Sequence, residues 1–176
     1  MTAEDPVHHE TLRRVGAMFD TPVMSNTLRS LYVEAQIGVL LGPTWRSVGA
    51  DWAPYDFESD TGVKLEVKQS AARQTWTQTR PTRPSFDIRP RTGRYDGAAS
   101  IPEAGRAADV YVFAWHPRTV DVDQRDETQW EYYVVPTVDL PPNQATISLS
   151  RICAISNPTR AHGLPSTVAG IVVPAR

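Results

Sequence analysis

The stretch from Tyr55 to Lys68 admits few folds. Its second half alternates, with Val63, Leu65 and Val67 apolar and Lys64, Glu66 and Lys68 charged, the period-two mark of a strand with one buried and one wet face. Its first half alternates too: Tyr55 and Phe57 are separated by Asp56 and followed by Glu58, which predicts a second short strand. Between them, Asp60-Thr61-Gly62 reads as a three-residue hairpin loop with Gly62 in the left-handed position. Ser59 then faces Val63, and counting back brings Asp56 opposite Glu66. Two carboxylates and the Lys68 ammonium share one face of the predicted hairpin.

Around this hairpin the pattern predicts one domain over residues 1–176, a length sufficient for a core of its own. Residues 6–19 read as a short helix ended by Asp20-Thr21-Pro22. A firmer helix follows, capped by Ser25, Asn26 or Thr27 and stopped by Gly42-Pro43, with Leu28, Leu31, Ala35 and Val39 at helical spacing. Val33, Ile37, Leu40 and Leu41 make it apolar on most sides, so it is expected to pack on a sheet with Glu34 at the rim or facing a site. Residues 45–53 read as an edge strand, and Ser70 as the cap of a short helical turn through Trp76. Residues 78–106, rich in proline and arginine, read as a long mobile or substrate-facing loop with one strand-like island at residues 85–88. Residues 110–115 are continuously apolar, as in a central strand covered on both faces. Residues 130–135 form another strand, residues 137–140 and 148–155 short helical pieces, and residues 168–173 a last strand or packing segment. The expected class is α/β (α+β), a mixed central sheet flanked by helices.

Composition narrows the function classes. Hydrophobic residues make up 40% and charged residues 22% of the chain, the proportions of a globular protein rather than a disordered or fibrous one. No apolar run approaches a membrane span. Residues 1–10 are polar and acidic, unlike a secretory leader, so a cytoplasmic location is expected. Cys153 is the single cysteine and is expected to be a buried small hydrophobe. The net charge of −2 gives no global attraction for polyanions, yet Arg73, Arg80, Arg83, Arg89, Arg91 and Arg94 fall in a segment whose one acid is Asp87. Interleaved with Trp76, Phe86 and Tyr95, these arginines suit a phosphate backbone with bases stacked beside it, or equally a solvated loop. Lysine occurs at positions 64 and 68 alone, both on the predicted hairpin. His8, His9, His116 and His162 are scattered and read as structural or surface residues.

Carboxylates held together repel unless something relieves them, and a divalent cation is the usual relief. Asp56 and Glu66 are hard oxygen ligands suited to Mg²⁺, with Mn²⁺ as the alternative ion. Lys68, one pleat along from Glu66, is placed to orient water or stabilise charge on a phosphate. The chemistry implied is phosphodiester hydrolysis. Asp56, then Glu66-Val67-Lys68 on an amphipathic strand, behind a helix bearing Glu34, resembles the PD-(D/E)xK nuclease superfamily. The match covers residues 26–70, and the strands at 110–115 and 130–135 by their order. Tyr55 stands where that pattern has proline, with Pro54 one place earlier, and no helix is evident between the catalytic strand and the next.

The resemblance implies a restriction-endonuclease-like core. Asp56 and Glu66 are then metal ligands, the Val67 carbonyl a further metal contact, Lys68 the water-positioning group and Glu34 an auxiliary ligand. Nucleic acid, DNA before RNA, is the implied partner, with Arg73, Arg80, Arg83, Arg89 and Arg91 its contacts and a homodimer left open. Two other readings stand beside it: a non-catalytic nucleic-acid or protein binding module on the same fold, and a structural or interaction protein whose aromatic strands are core and whose charges, Glu66 and Lys68 among them, are solvated surface.

Overall fold

The computed structural model describes residues 5–48, 53–96, 99–101 and 104–171. In chain order its elements are α1 (Pro6–Ala17), α2 (Asn26–Leu41), β1 (Trp45–Ser47), β2 (Phe57–Ser59), β3 (Lys64–Ala71), β4 (Ser85–Asp87), β5 (Arg94–Asp96), β6 (Ala99–Ile101), β7 (Val110–His116), β8 (Glu131–Pro136), β9 (Thr146–Ser148), α3 (Leu149–Cys153) and α4 (Leu164–Ala169). The fold is mixed α+β. A five-stranded sheet runs in the order β1-β2-β3-β7-β8, with β3 and β7 parallel and the other neighbours antiparallel.

The hairpin forms as its turn chemistry dictates. Gly62 has φ 82°, the Ser59 N–H donates to the Val63 carbonyl over 2.9 Å, and Phe57 and Glu58 face Leu65 and Lys64. The register is the expected one up to Phe57. There the ladder breaks. The Asp56 N–H donates to the carbonyl of Leu65 over 3.0 Å, the residue Phe57 already faces, so two residues of one strand oppose one of the other. That arrangement is a β-bulge, which re-aims a side chain and ends regular pairing. Asp56 is consequently not the flat cross-strand partner of Glu66 that simple counting predicts.

Both faces of the sheet are covered. On one, Val33, Ile37 and Leu41 of α2 pack with Leu164 and Val168 of α4 over Phe57, Leu65, Val112 and Val134. On the other, Phe86 and Ile88, with Ile147 and Ile152, cover Tyr111, Phe113, Tyr133 and Val135. Of the apolar stripes on α2, one is turned to solvent: Leu31 and Val39 are 54% and 82% exposed. A helix apolar nearly all round gives periodicity no means to choose, and the sheet takes the stripe of Arg29, Val33, Ile37 and Leu41. Gly38 makes that contact close, because a Cβ there would meet the Phe57 ring at 2.9 Å.

Other expectations change as well. Ser70 stays in β3 instead of capping a helical turn, because β3 runs on to Ala71 beside β7. The segment after β3 is no free loop. It returns to β7 through β4, which pairs with β9, and through the β5–β6 hairpin, with Phe86 and Ile88 only 2% and 1% exposed. Cys153, at the end of α3, is exposed. Residues 164–169 form a helix rather than the start of a strand, while residues 172–173, like residues 49–52 of the expected edge strand, lie outside the described residues. No described helix is long and apolar enough to cross a membrane.

Candidate active site

The bulge aims the Asp56 side chain across the strand gap, where its Oδ2 accepts the Val67 N–H over 2.6 Å. In a strand, a residue's N–H and carbonyl point to the same edge, so the Val67 carbonyl is directed toward Asp56 too. One residue earlier, Glu66 projects to the face it shares with its neighbour Tyr111 on β7. Glu66 is 5% exposed. Its Oε1 takes the Lys68 Nζ at 2.5 Å, while its Oε2 is buried without a hydrogen-bond partner. Leaving a buried carboxylate oxygen unpaired costs free energy, so Oε2 is an acceptor suited to a cation or a donor.

The electrostatics tie the expected residues together. Burial first, then Asp56, raises the Glu66 pKa against the pull of Lys68. Burial also raises that of Asp56, against the Val67 N–H, and Glu34 raises it further while Lys68 and Arg91 oppose. Glu34, half-buried on α2, is raised by burial and by Glu66. The four residues therefore lie in one another's field. Among the described residues, however, no three His, Cys, Asp or Glu side chains gather closely enough to cage a metal. What the fold offers is a two-carboxylate set, Asp56 and Glu66, with Glu34 standing off. Hard oxygens, one of them orphaned, fit Mg²⁺, which takes one or two protein carboxylates and keeps waters for the rest.

Above this face lies a cavity of about 410 Å³ lined by Pro54, Glu66, Lys68, Tyr111, Arg106 and the run from Asp87 to Gly93. It draws in two of the five expected contact arginines, Arg89 and Arg91. Arg73, Arg80 and Arg83 are exposed and are not among its lining residues. Arg91 Nη1 donates to the Ala53 carbonyl over 3.2 Å, and its positive charge weakly opposes the rise in the pKa of both Asp56 and Glu66. Phe86, expected to stack on bases, is instead core, edge-on to Phe113 at 5.2 Å. Trp76 is 57% exposed, and the side chains of Arg94 and Tyr95 lie outside the described part.

Two features escaped the sequence. Tyr111 looked like core because it sits in an apolar run, yet it lines the cavity beside Glu66, and burial pushes its phenol well above the ordinary range, keeping it an O–H donor. Arg29, 1% exposed, donates to Gln69, Gln74 and Asn26 side chains at 2.6, 3.1 and 2.9 Å, pinning β3 just past Lys68 to the start of α2. Only its place on the α2 stripe hinted at this. Compared with family models, curated proteins and solved structures, the chain matches none.

Proposed function

We propose that this protein is a Mg²⁺-dependent nuclease of the PD-(D/E)xK type, hydrolysing phosphodiester bonds in nucleic acid, DNA in the first instance. The observation that carries the reading is the orphaned, buried Oε2 of Glu66, beside a carboxylate re-aimed by a bulge and an ammonium that faces an arginine-lined cavity. Asp56, Glu66 and the Val67 carbonyl would hold the cation. Bound there, Mg²⁺ supplies charge that polarises the phosphodiester and acidifies water.

The protein's own groups do the remainder. The Lys68 ammonium has three protons; one is given to Glu66, leaving two to orient the attacking water and to stabilise the negative charge that grows on the phosphate. Arg91, which lines the same cavity, is the group to hold a phosphate oxygen. The Val67 N–H fixes Asp56, so that little reorganisation is needed on binding. Tyr111 closes the floor and keeps bulk water from the Glu66 side.

Cleavage of plasmid and single-stranded DNA with Mg²⁺ or Mn²⁺ tests the proposal. Glu66→Gln and Lys68→Ala should each lower the rate by at least about 100-fold, the scale of losing one group that stabilises transition-state charge. Activity that survives both changes would belong to a contaminant or another site. Salt-sensitive DNA binding by the wild type without cleavage would instead indicate a binding module.

A further inference from the structure

We infer that the cavity admits one strand at a time, so that the substrate is unpaired nucleic acid, and not the body of an intact duplex. The inference rests on the nuclease reading for the site it concerns, and adds the class of substrate. Glu66 lines the cavity with 5% of its residue surface exposed, so it is recessed behind the other lining groups. Residues 87–93 form one wall and Arg106-Ala107 the next. These walls are stitched together, because Arg91 and Gly105 exchange two backbone hydrogen bonds of 2.8 and 2.9 Å. Arg91 also reaches across to the Ala53 carbonyl, next to Pro54 on the third side. The result is a half-open pit over Glu66 and Lys68.

A volume of about 410 Å³ lies in the range of pockets for small organic ligands and suits a nucleotide. A paired backbone holds its phosphates on the surface of a stiff helix, with the second strand beside them. Enzymes with sunken chemistry reach their target by taking unpaired substrate or by extruding a nucleotide. Charge alone would favour the opposite choice, because a duplex carries about one charge per 1.7 Å of axis and a single strand fewer. A preference for single strands is therefore a mark of the pit rather than of its arginines.

The test uses the full chain and one labelled oligonucleotide sequence, presented as a linear single strand, a closed single-stranded circle and a blunt duplex. Binding is read by fluorescence anisotropy in EDTA, and cleavage in Mg²⁺ and in Mn²⁺. Both single-stranded forms should bind about tenfold or more tightly than the duplex, a difference of about 1.4 kcal/mol, and be cut faster by a similar factor. Arg91→Ala, which removes the tie to Ala53 and one cation, should narrow that ratio. Duplex bound or cut as well as single strand overturns the inference while leaving the nuclease reading intact. Absence of cleavage for every form and both ions sinks the nuclease reading, and the metal-free binding ratio still decides the single-strand preference.

Discussion

Glu66 sets the terms at the scale of the residue. Its carboxyl and that of Asp56 have folded pKa values raised by burial, so the folded protein binds more protons than the unfolded chain across the window between unfolded and folded values. The stability these groups contribute is complete below the unfolded range, about pH 4, and is lost as pH rises through the folded values. Glu66→Gln removes the buried charge, with its unpartnered Oε2, and gives up the Oε1 ion pair to the part-exposed Lys68. Melts in EDTA from pH 4 to 8 should show the variant flatter with pH and more stable at pH 7 by about 1–3 kcal/mol, at about 2–4 °C per kcal/mol. Added Mg²⁺ should raise the wild-type melting temperature and leave the variant unmoved; parallel pH profiles would count against a Glu66 carboxyl whose pKa is raised by burial. Arg29 behaves in the opposite sense. Burial lowers its pKa to about 10, and its charge is spread over neutral oxygens of Gln69, Gln74 and Asn26. Arg29→Ala strands those amides and should cost about 3 kcal/mol or more in urea unfolding. Arg29→Lys keeps the charge without the planar fork and should recover less than half.

Among the elements, the contact of α2 with β2 decides how well the site is aimed. Gly38 lies against the Phe57 ring at the distance where a Cβ has no room, and Phe57 is the residue after the bulged Asp56. Helix propensity alone favours Gly38→Ala by about 1 kcal/mol. Overpacking a ring that is 3% exposed costs about 1–3 kcal/mol, so the variant should melt lower and cleave more slowly; a higher melting temperature with full activity would contradict this contact. The hairpin was legible beforehand because Asp60-Thr61-Gly62 fixes loop length and register together, which placed Glu66 and Lys68 on one face. The bulge at Asp56 was not, since period-two alternation continues through it and only the shared Leu65 carbonyl reveals it. The buried stripe of α2 was illegible for a different reason: both candidate stripes are apolar, and the choice belongs to the sheet. Central strand β7 was plain from its apolar run, whereas Tyr111 within that run hid a polar tip. The crossover after β3 hid most, because its proline and arginine content concealed Phe86 and Ile88, whose burial makes it a cover for the sheet.

At the scale of the whole molecule, charge and core are arranged against each other. The net charge of −2 repels a polyanion weakly, and several arginines are committed elsewhere. Arg125 is bound to Asp20 and Asp123 at 2.5 and 2.9 Å, while Arg106 spends its donors on the carbonyls of Ile88 and Pro141 at 2.7 Å each. On the proposed reading, attraction for nucleic acid falls to Arg89 and Arg91 in the lining of one cavity, whose neighbours Phe86 and Ile88 are fixed to the sheet by the second hydrophobic cluster. Binding to such a molecule should be only modestly sensitive to salt, because each neutralised phosphate of a single strand contributes about 0.7 to the slope of log K against log salt. Arg89→Ala and Arg91→Ala should each lower that slope by about one contact, measured by anisotropy in EDTA over a salt series. Arg80→Ala and Arg83→Ala, exposed but away from the cavity lining, should change affinity little and the slope less. If all four substitutions lower the slope alike, the arginines act as a diffuse patch and the cavity does not direct the strand.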